Sequence, residues 1–171
     1  MPAENVSITG SFTANADTQY TVVHHYQDIV GDGYGADRAD ETETLTGTTD
    51  TLTAAAARTV TGFTAQPFEQ ANIAGDGSTV VDIYYNRDIY TVTYTYTGTV
   101  PAGAGEVPAA ADYRYGAQVT VAGAPTTPAG YTFSGWSRTD SFTMPAENVT
   151  INGSFTANGN TAYTIEHYTE N

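Results

Sequence analysis

The most regular pattern in the chain is the alternation of tyrosine or valine with threonine from residue 90 to residue 97. Successive side chains of a β-strand point to opposite faces, so this segment predicts a strand with one apolar face and one threonine face. Residues 20–27 and 41–46 predict the two strands of a hairpin with a long loop, and residues 80–85 form a mostly apolar run that predicts a central strand. The chain is therefore expected to be mainly β.

Glycine-rich triplets separate these segments. Gly-Asp-Gly occurs at residues 31–33 and again at 75–77, and both triplets predict turns, because glycine tolerates positive φ and aspartate can hydrogen-bond to nearby backbone. Residues 52–58 contain four consecutive alanines, which makes a short helix or helical turn possible there. The fold class is then α+β at most, with no more than one short helix in each module.

A long internal repeat sets the domain organisation. Residues 144–168 repeat residues 1–26 with few substitutions at an offset of 143, and the Tyr-Thr-Val of residues 20–22 recurs at 90–92. Such a period indicates a tandem array of two alternating modules. We expect residues 1–17 to be the C-terminal strand of a preceding module, 18–88 and 89–158 to be complete modules, and 159–171 to be the first strand of a following module.

The repeat also helps to interpret two short segments. Residues 1–16 place Val6, Ile8 and Phe12 on one face, which predicts a strand. Asn152-Gly153 would ordinarily suggest a hairpin turn, but the first copy has Thr9-Gly10 at the same place. We therefore assign Asn152-Gly153 to the interior of a strand.

The composition excludes several partners. Five arginines, no lysine and nineteen acidic residues give a formal charge of -14, which would repel the phosphates of a nucleic acid. No apolar run approaches the roughly 20 residues needed to span a bilayer, so this segment is not expected to insert into a membrane. Any export signal is expected outside it. The absence of cysteine rules out disulfides and thiolate metal sites.

An acidic loop, residues 28–41, contains the only candidate metal ligands in the sequence, and they are weak candidates. Its carboxylates could bind calcium through oxygen, but their spacing does not match the EF-hand pattern. An acidic surface loop is the simpler interpretation, so no metal site is assigned. The Gly-x-Gly-x-Gly string in the same loop lacks the spacing and the following helix of a dinucleotide-binding motif. The candidate ligands are Asp28, Asp32, Asp37, Asp40 and Glu41.

Catalytic chemistry has little support in the sequence. His24 and His25 are adjacent on a predicted strand, so they face opposite sides of the sheet and cannot both bind one metal ion. The chain has no cysteine or lysine nucleophile and no serine in a Gly-x-Ser-x-Gly motif. We therefore predict that the protein is not an enzyme, with no catalytic residues, no cofactor-binding residues and no cofactor.

Trp136 is the single tryptophan of the chain and allows two interpretations. Its ring could form a platform for a sugar, since aromatic rings stack on the apolar faces of sugars. A core position is the favoured interpretation, because burying an aromatic side chain removes about 150 to 250 Å² from water and a small module needs that contribution.

The motifs of both modules resemble those of known repeat families. Residues 20–87, with YTVVHHYQ, TETLTG, TGFT and VVDIYYNR, resemble the mucin-binding-protein (MucBP-like) repeats of Gram-positive surface adhesins. Residues 90–158, with YTVTYTYTG, YRYG, GYTFSGW and FTMPAENVTINGSF, resemble internalin-type B-repeats and the SHIRT repeats of streptococcal adhesins. The resemblance implies tandem β-grasp (ubiquitin-like) modules, each with a small mixed sheet, in an extracellular protein attached to the cell wall through regions outside this segment.

Two functions are compatible with this resemblance. The leading hypothesis is a structural spacer, or stalk, in which each module contacts neighbouring repeats of the same chain. The alternative is a module that binds a host glycan or mucin through exposed tyrosines or the acidic loop. No ligand-binding residue is assigned.

The N-terminal strand predicts self-association. Its apolar face could add to an exposed sheet edge of its own or a neighbouring chain, or it could take the place of residues 144–158 in another molecule. Edge pairing is the expected mode, because the resident strand is tethered to its position and an intruding strand must arrive from solution.

Overall fold

The computed structural model describes residues 7–170 of the chain. Within this range there are ten β-strands and no helix, arranged in small sheets. The chain divides into two compact units, Met1–Arg87 and Asp88–Asn171. The predicted fold class, tandem small β modules with mixed sheets, is confirmed. No helix in the described part of the chain is long and apolar enough to cross a membrane.

The first unit contains one four-stranded mixed sheet with the order β2-β1-β4-β3. Strands β1 and β2 form an antiparallel pair, β1 and β4 run parallel, and β3 pairs antiparallel with β4. Strand β4 therefore lies inside the sheet, as its apolar run predicts. The strand bounds are Thr18–Tyr26 for β1, Glu41–Gly47 for β2, Phe63–Ala65 for β3 and Val80–Arg87 for β4.

Alternation along the two parallel strands builds the core of the first unit. Every second side chain of β1 and β4 is buried, and the intervening ones are half-buried or exposed. The Tyr26 ring stacks on Tyr85 with 5.1 Å between ring centroids and meets Phe63 edge-on at 5.3 Å. The buried side chains on these two strands include Tyr20, Val22, His24, Tyr26, Val81, Ile83 and Tyr85.

The alanine-rich segment at residues 52–58 has no regular secondary structure beyond an isolated bridge at Leu52, so the helix that its composition allowed does not form. Side chains from the core take up the backbone groups that a helix would pair internally. The Gln70 amide both accepts from the Ala55 N–H, at 3.0 Å, and donates to the Ala55 carbonyl, at 2.9 Å. The hydroxyls of Tyr20 and Tyr85 accept from the N–H groups of Ala54 and Arg58. Tertiary hydrogen bonds thus override the helical propensity of alanine.

The second unit repeats this connectivity. Its four-stranded sheet has the order β6-β5-β10-β8, with β5 antiparallel to β6, parallel to β10, and β10 antiparallel to β8. A separate two-stranded sheet pairs β7 with β9. The strand bounds are Ile89–Tyr96 for β5, Ala111–Arg114 for β6, Gln118–Val119 for β7, Tyr131–Trp136 for β8, Phe142–Thr143 for β9 and Val149–Ala157 for β10.

Trp136 lies in the core of the second unit, as predicted, with 8% of its surface exposed. Its indole N–H donates to the Gly123 carbonyl at 3.0 Å, so the ring is held by a hydrogen bond as well as by packing. The rings of Tyr94 and Phe133 both meet it edge-on at 5.0 Å. The indole ring of Trp136 is therefore packed among neighbouring aromatic side chains.

Gly153 lies inside β10, which confirms that Asn152-Gly153 is strand interior. A Cβ atom at this position would lie 2.7 Å from the Phe133 ring and 2.8 Å from the Trp136 ring. Those distances are too short for any side chain, so the aromatic core of the unit requires glycine here. A local irregularity of the strand falls between Gly153 and Phe155.

The strand predicted over residues 1–16 is not present in residues 7–16, and Val6 lies outside the described residues. Ile8 and Phe12 are fully exposed, at 93% and 106%. The segment meets no partner strand in this structure, and an unpaired strand gains no ladder hydrogen bonds to offset its ordering. Pairing with a sheet edge of the same chain, one of the expected modes, is therefore not seen in the described residues.

The strand predicted over residues 159–171 is likewise absent from residues 159–170, and Asn171 lies outside the described range. Tyr163, Ile165 and Tyr168 are exposed there. The assignment of both terminal segments to neighbouring modules stays a prediction, as do the module boundaries and association between molecules.

Trp136→Ala is expected to unfold the second unit selectively. The substitution should cost about 3 to 5 kcal/mol, because it removes the largest side chain of a small core. Circular dichroism and NMR should show the first unit still folded. Tyr163→Ala, which removes an exposed aromatic ring, is the matched control and should melt like the parent chain. Normal melting of the Trp136 variant would contradict its core role.

Tyr85→Phe is expected to destabilise the first unit by about 1 to 3 kcal/mol, because it leaves buried hydrogen-bonding groups without a partner. The Tyr85 hydroxyl lies 2.8 Å from His24 Nδ1 and 2.8 Å from the Arg58 N–H nitrogen. Tyr84→Phe makes the same change on the exposed face and should be nearly neutral. Urea unfolding of the two variants measures the difference, and equal midpoints would show that the buried hydroxyl contributes nothing.

Candidate functional site

The exposed face of the first unit carries a group of aromatic and acidic side chains that we call the outer-face cluster, made of His25, Tyr34, Tyr84, Asp40 and Asp82. The parallel register of β1 and β4 places His25 beside Tyr84. Their rings stack with centroids 4.5 Å apart and 18° between planes, and the Tyr34 ring meets Tyr84 edge-on at 5.0 Å. Alternation of both strands sends these side chains away from the core.

His25 lies between two carboxylates. Its Nδ1 is 2.8 Å from Asp40 Oδ2 and its Nε2 is 2.9 Å from Asp82 Oδ1. Ionised carboxylates only accept hydrogen bonds, so both contacts form together only when both ring nitrogens carry protons. Partial burial disfavours the charge, but the hydrogen bonds with Asp82 and Asp40 outweigh that effect and raise the pKa of His25.

Polar amides border the Tyr34 side of the cluster. The Gln66 amide donates to the Tyr34 hydroxyl at 2.7 Å and to Asn86 Oδ1 at 2.7 Å. The Tyr34 hydroxyl in turn donates to Asn86 Oδ1 at 3.3 Å. The cluster therefore combines an accessible aromatic surface with amide and carboxylate groups in fixed positions. Such a surface is suited to noncovalent binding of a polar ligand.

Two carboxylates of the acidic loop accept hydrogen bonds from backbone N–H groups of the same loop. Asp28 Oδ1 accepts from the N–H groups of Ala36 and Asp37 at 2.8 and 3.0 Å, and Asp37 Oδ2 accepts from the Ile29 N–H at 2.6 Å. The Asp28 side chain is buried. These contacts hold the loop in one conformation, so Asp28 and Asp37 have a structural role in it.

The remaining three candidate metal ligands do not converge on one point of the loop. Asp40 contacts His25, Glu41 is paired with arginines, and Asp32 is exposed on the loop. Among residues 7–170, no group of three or more histidine, aspartate or glutamate side chains could hold a metal ion. The calcium alternative for this loop gains no support from the structure.

Two arginines neutralise the acidic residues of β2. Arg58 reaches Glu41 and Glu43, each at 2.7 Å, and Arg38 reaches Glu41 at 2.6 Å. These hydrogen bonds lower the pKa of Glu41, mainly through Arg38, and the pKa of Glu43, mainly through Arg58. The Arg38 guanidinium also lies 3.9 Å from the centre of the Tyr26 ring. Sequence patterns did not predict this network, because Arg58 lies 17 and 15 residues along the chain from Glu41 and Glu43.

His24 occupies the opposite face of the sheet from His25, as the strand prediction requires. It is fully buried, and its Nδ1 lies 2.8 Å from the Tyr85 hydroxyl. Burial, together with the nearby positive charge of Arg58, lowers the pKa of His24. Two adjacent histidines thus favour opposite protonation states.

The second unit has an open cleft of about 310 Å³ beside Trp136. Its lining is mostly apolar and consists of Val121, Ala122, Ala124, Phe133, Gly135, Trp136 and Thr139. Trp136 is only 8% exposed although it borders this cleft, so the structure favours its core role over the sugar platform that the sequence allowed as an alternative. The outer-face cluster is the better candidate for a ligand.

Sequence patterns alone did not single out the outer-face cluster. Alternation in residues 80–85 could have placed Asp82 and Tyr84 together on the exposed face, opposite Val81 and Ile83. The contribution of Tyr34 could not have been found in this way, because its position depends on the conformation of the loop.

Residues 90–159 match the family model of the divergent InlB B-repeat domain. This match supports a bacterial surface repeat in the part of the chain that contains β5 to β10, which is less than half of the whole. The more specific resemblance of residues 20–87 to MucBP-like repeats stays a prediction. No curated protein matches the chain.

Two solved structures are similar to the chain at low identity. The Streptococcal High Identity Repeats in Tandem (SHIRT) domains 3-4 from a cell surface protein share 15% identity, with 80% of this chain and 96% of that chain covered and a TM-score of 0.29. The crystal structure of Mub-RV shares 12% identity, with 81% and 98% covered and a TM-score of 0.26.

The two histidines are expected to titrate on opposite sides of pH 6.5, the ordinary value for the side chain. NMR titration of the ring protons should give a pKa above this value for His25 and below it for His24. His25 then stabilises the fold below pH 6.5, and that contribution is lost as pH rises through its folded pKa. His24 stabilises the fold above pH 6.5 and less as pH falls.

Unfolding in urea at several pH values tests the same assignment. His25→Gln should lower stability most at about pH 5.5, and its difference from the parent should shrink at about pH 8. His24→Gln disturbs the buried face and is not expected to show this trend. A His25 variant whose loss grows as pH rises would contradict the two-carboxylate arrangement.

Proposed function

We propose that this chain is a structural repeat segment, a stalk or spacer, of a bacterial cell-surface adhesin. The observation that carries the proposal is the use of one strand connectivity in two successive units, in a chain whose residues 1–26 recur at 144–168. The match of residues 90–159 to a B-repeat domain supports it. In this proposal the protein is extracellular, has no catalytic role and is attached to the cell wall through other regions.

The two units suit a mechanical role. Each has its own core and its own parallel central pair, so each can fold by means of contacts within itself. In tandem arrays the partners of a module are mainly its neighbours, and the number of modules sets the reach of the protein. A formal charge of -14 adds mutual repulsion between chains and disfavours their collapse onto one another.

Small-angle X-ray scattering tests the spacer proposal. Chains that carry one, two and three copies of the 143-residue period should show a maximum dimension that increases by a constant step. A spacer has to convert added modules into added length, which is the reason for this expectation. A dimension that stops increasing at the second copy would contradict the proposal.

The alternative, a glycan-binding or mucin-binding module, is favoured by one specific observation, the outer-face cluster. Tyr84 is 39% exposed and is stacked on one side by His25. The apolar face of a sugar ring could pack on this aromatic surface while the exposed Asp82 carboxylate accepts hydrogen bonds from the sugar hydroxyls. The MucBP-like resemblance of this module points in the same direction.

An array of mucin-type O-glycans separates the two functions. If the cluster binds glycans, Tyr84→Ala should weaken binding by up to about tenfold, because it removes the stacking surface. Tyr163→Ala removes an exposed tyrosine outside the cluster and is the matched control. Absence of binding by the parent chain, or an equal loss in both variants, would speak against the cluster as a glycan site.

A further inference from the structure

Residues 7–15 are nearly a second copy of residues 150–158, which include most of β10. Only two positions differ, with Ser7 in place of Thr150 and Thr9 in place of Asn152. Both Thr150 and Asn152 are exposed in β10. Every position that faces the core of the second unit is therefore the same in the two segments.

The identical positions include the apolar anchors of β10. Ile151 is fully buried, and the Phe155 ring packs against the rings of Tyr96 and Phe133 at 5.0 and 5.3 Å. Their counterparts, Ile8 and Phe12, are fully exposed in this structure. The N-terminal segment thus carries the side chains of a buried strand on a surface where none of them is covered.

Glycine is the most specific of the shared residues. Gly153 cannot carry a side chain, because Phe133 and Trp136 lie within 2.8 Å of where its Cβ would be. Gly10 has nothing within 4 Å of the same point, and its φ is not positive. The surroundings of Gly10 in this structure do not require glycine, whereas the position between β5 and β8 does.

We propose that residues 7–15 can act as a donor strand that takes the position of β10, between β5 and β8 of a second copy of this chain, when the resident β10 of that copy is displaced. There the donor would pair parallel to β5 and antiparallel to β8, as β10 does. A sheet edge would accept many sequences and would not require Gly10, so this site is more specific than the edge pairing expected from the sequence. The inference does not depend on the spacer role.

The resident strand controls when the donor can bind. β10 is tethered beside its site at an effective concentration of about millimolar or more, and the two strands offer the same buried contacts. In the parent chain the resident strand wins. The donor enters only when β10 is absent or damaged, so it would join molecules through a strand exchange that needs no new interface.

Paired glycine variants of the full chain test the proposal. Gly153→Val should expel β10, and the donor strand of another molecule should then restore the unit in concentration-dependent oligomers. Gly10→Val should behave like the parent, and the double variant should be monomeric with its second unit unfolded. Sedimentation velocity reports association, and the emission of Trp136, the single tryptophan, reports whether the core is closed.

A second pair of variants keeps the test informative if β10 stays in place with valine at residue 153. Ile151→Asp places a charge at a fully buried position, and Ile8→Asp is its match in the donor. Rescue by the donor should appear in Ile151→Asp and vanish when both changes are combined. The proposal is overturned if the single β10 variants behave like the double variants, or if they retain a buried Trp136 as monomers at all concentrations.

Discussion

The parallel pairing of the first strand of each unit with its last strand is the constraint on which the structure depends. In the first unit β1 pairs with β4, and in the second β5 pairs with β10. Parallel strands cannot be joined by a tight turn, so the intervening chain must cross the sheet and cover one face. That covered face becomes the core, which in the first unit includes the irregular segment at residues 52–58 and its hydrogen bonds to Gln70 and Tyr85.

The same pairing gives the two faces of the first sheet different chemistry. On the covered face, burial keeps His24 neutral next to the Tyr85 hydroxyl. On the open face, two carboxylates favour the charged form of His25 and fix it against Tyr84. The outer-face cluster exists because Asp40, at the end of the acidic loop, and Asp82 on β4 reach His25 from opposite sides. The carboxylates and tyrosines of the outer-face cluster are the reason to test a ligand-binding role beside the proposed spacer role.

In the second unit aromatic side chains cover the central strand pair. Trp136, Tyr96 and Phe133 fill the space beside β10, and this packing leaves room only for glycine at residue 153. The tight fit makes β10 specific to its site, and the N-terminal segment shares that specificity because it shares the sequence. Repetition of modules along one chain therefore also repeats the strands that can complete them, which links the architecture to the possibility of strand exchange.

The sequence by itself determined the strands with strong alternation, such as β5, the opposite directions of His24 and His25, the core position of Trp136 and the 143-residue repeat. These features depend on the period of a strand and on the burial of apolar side chains, which are local properties. Only the tertiary structure decided that residues 52–58 form no helix, that residues 7–16 form no strand, and that Tyr34 and Asp40 join His25 and Tyr84. The first and third features depend on partners distant along the chain, such as Gln70 and Asp82, and the second depends on the lack of a partner strand within the described residues. A local pattern carries no information about which distant partner is present.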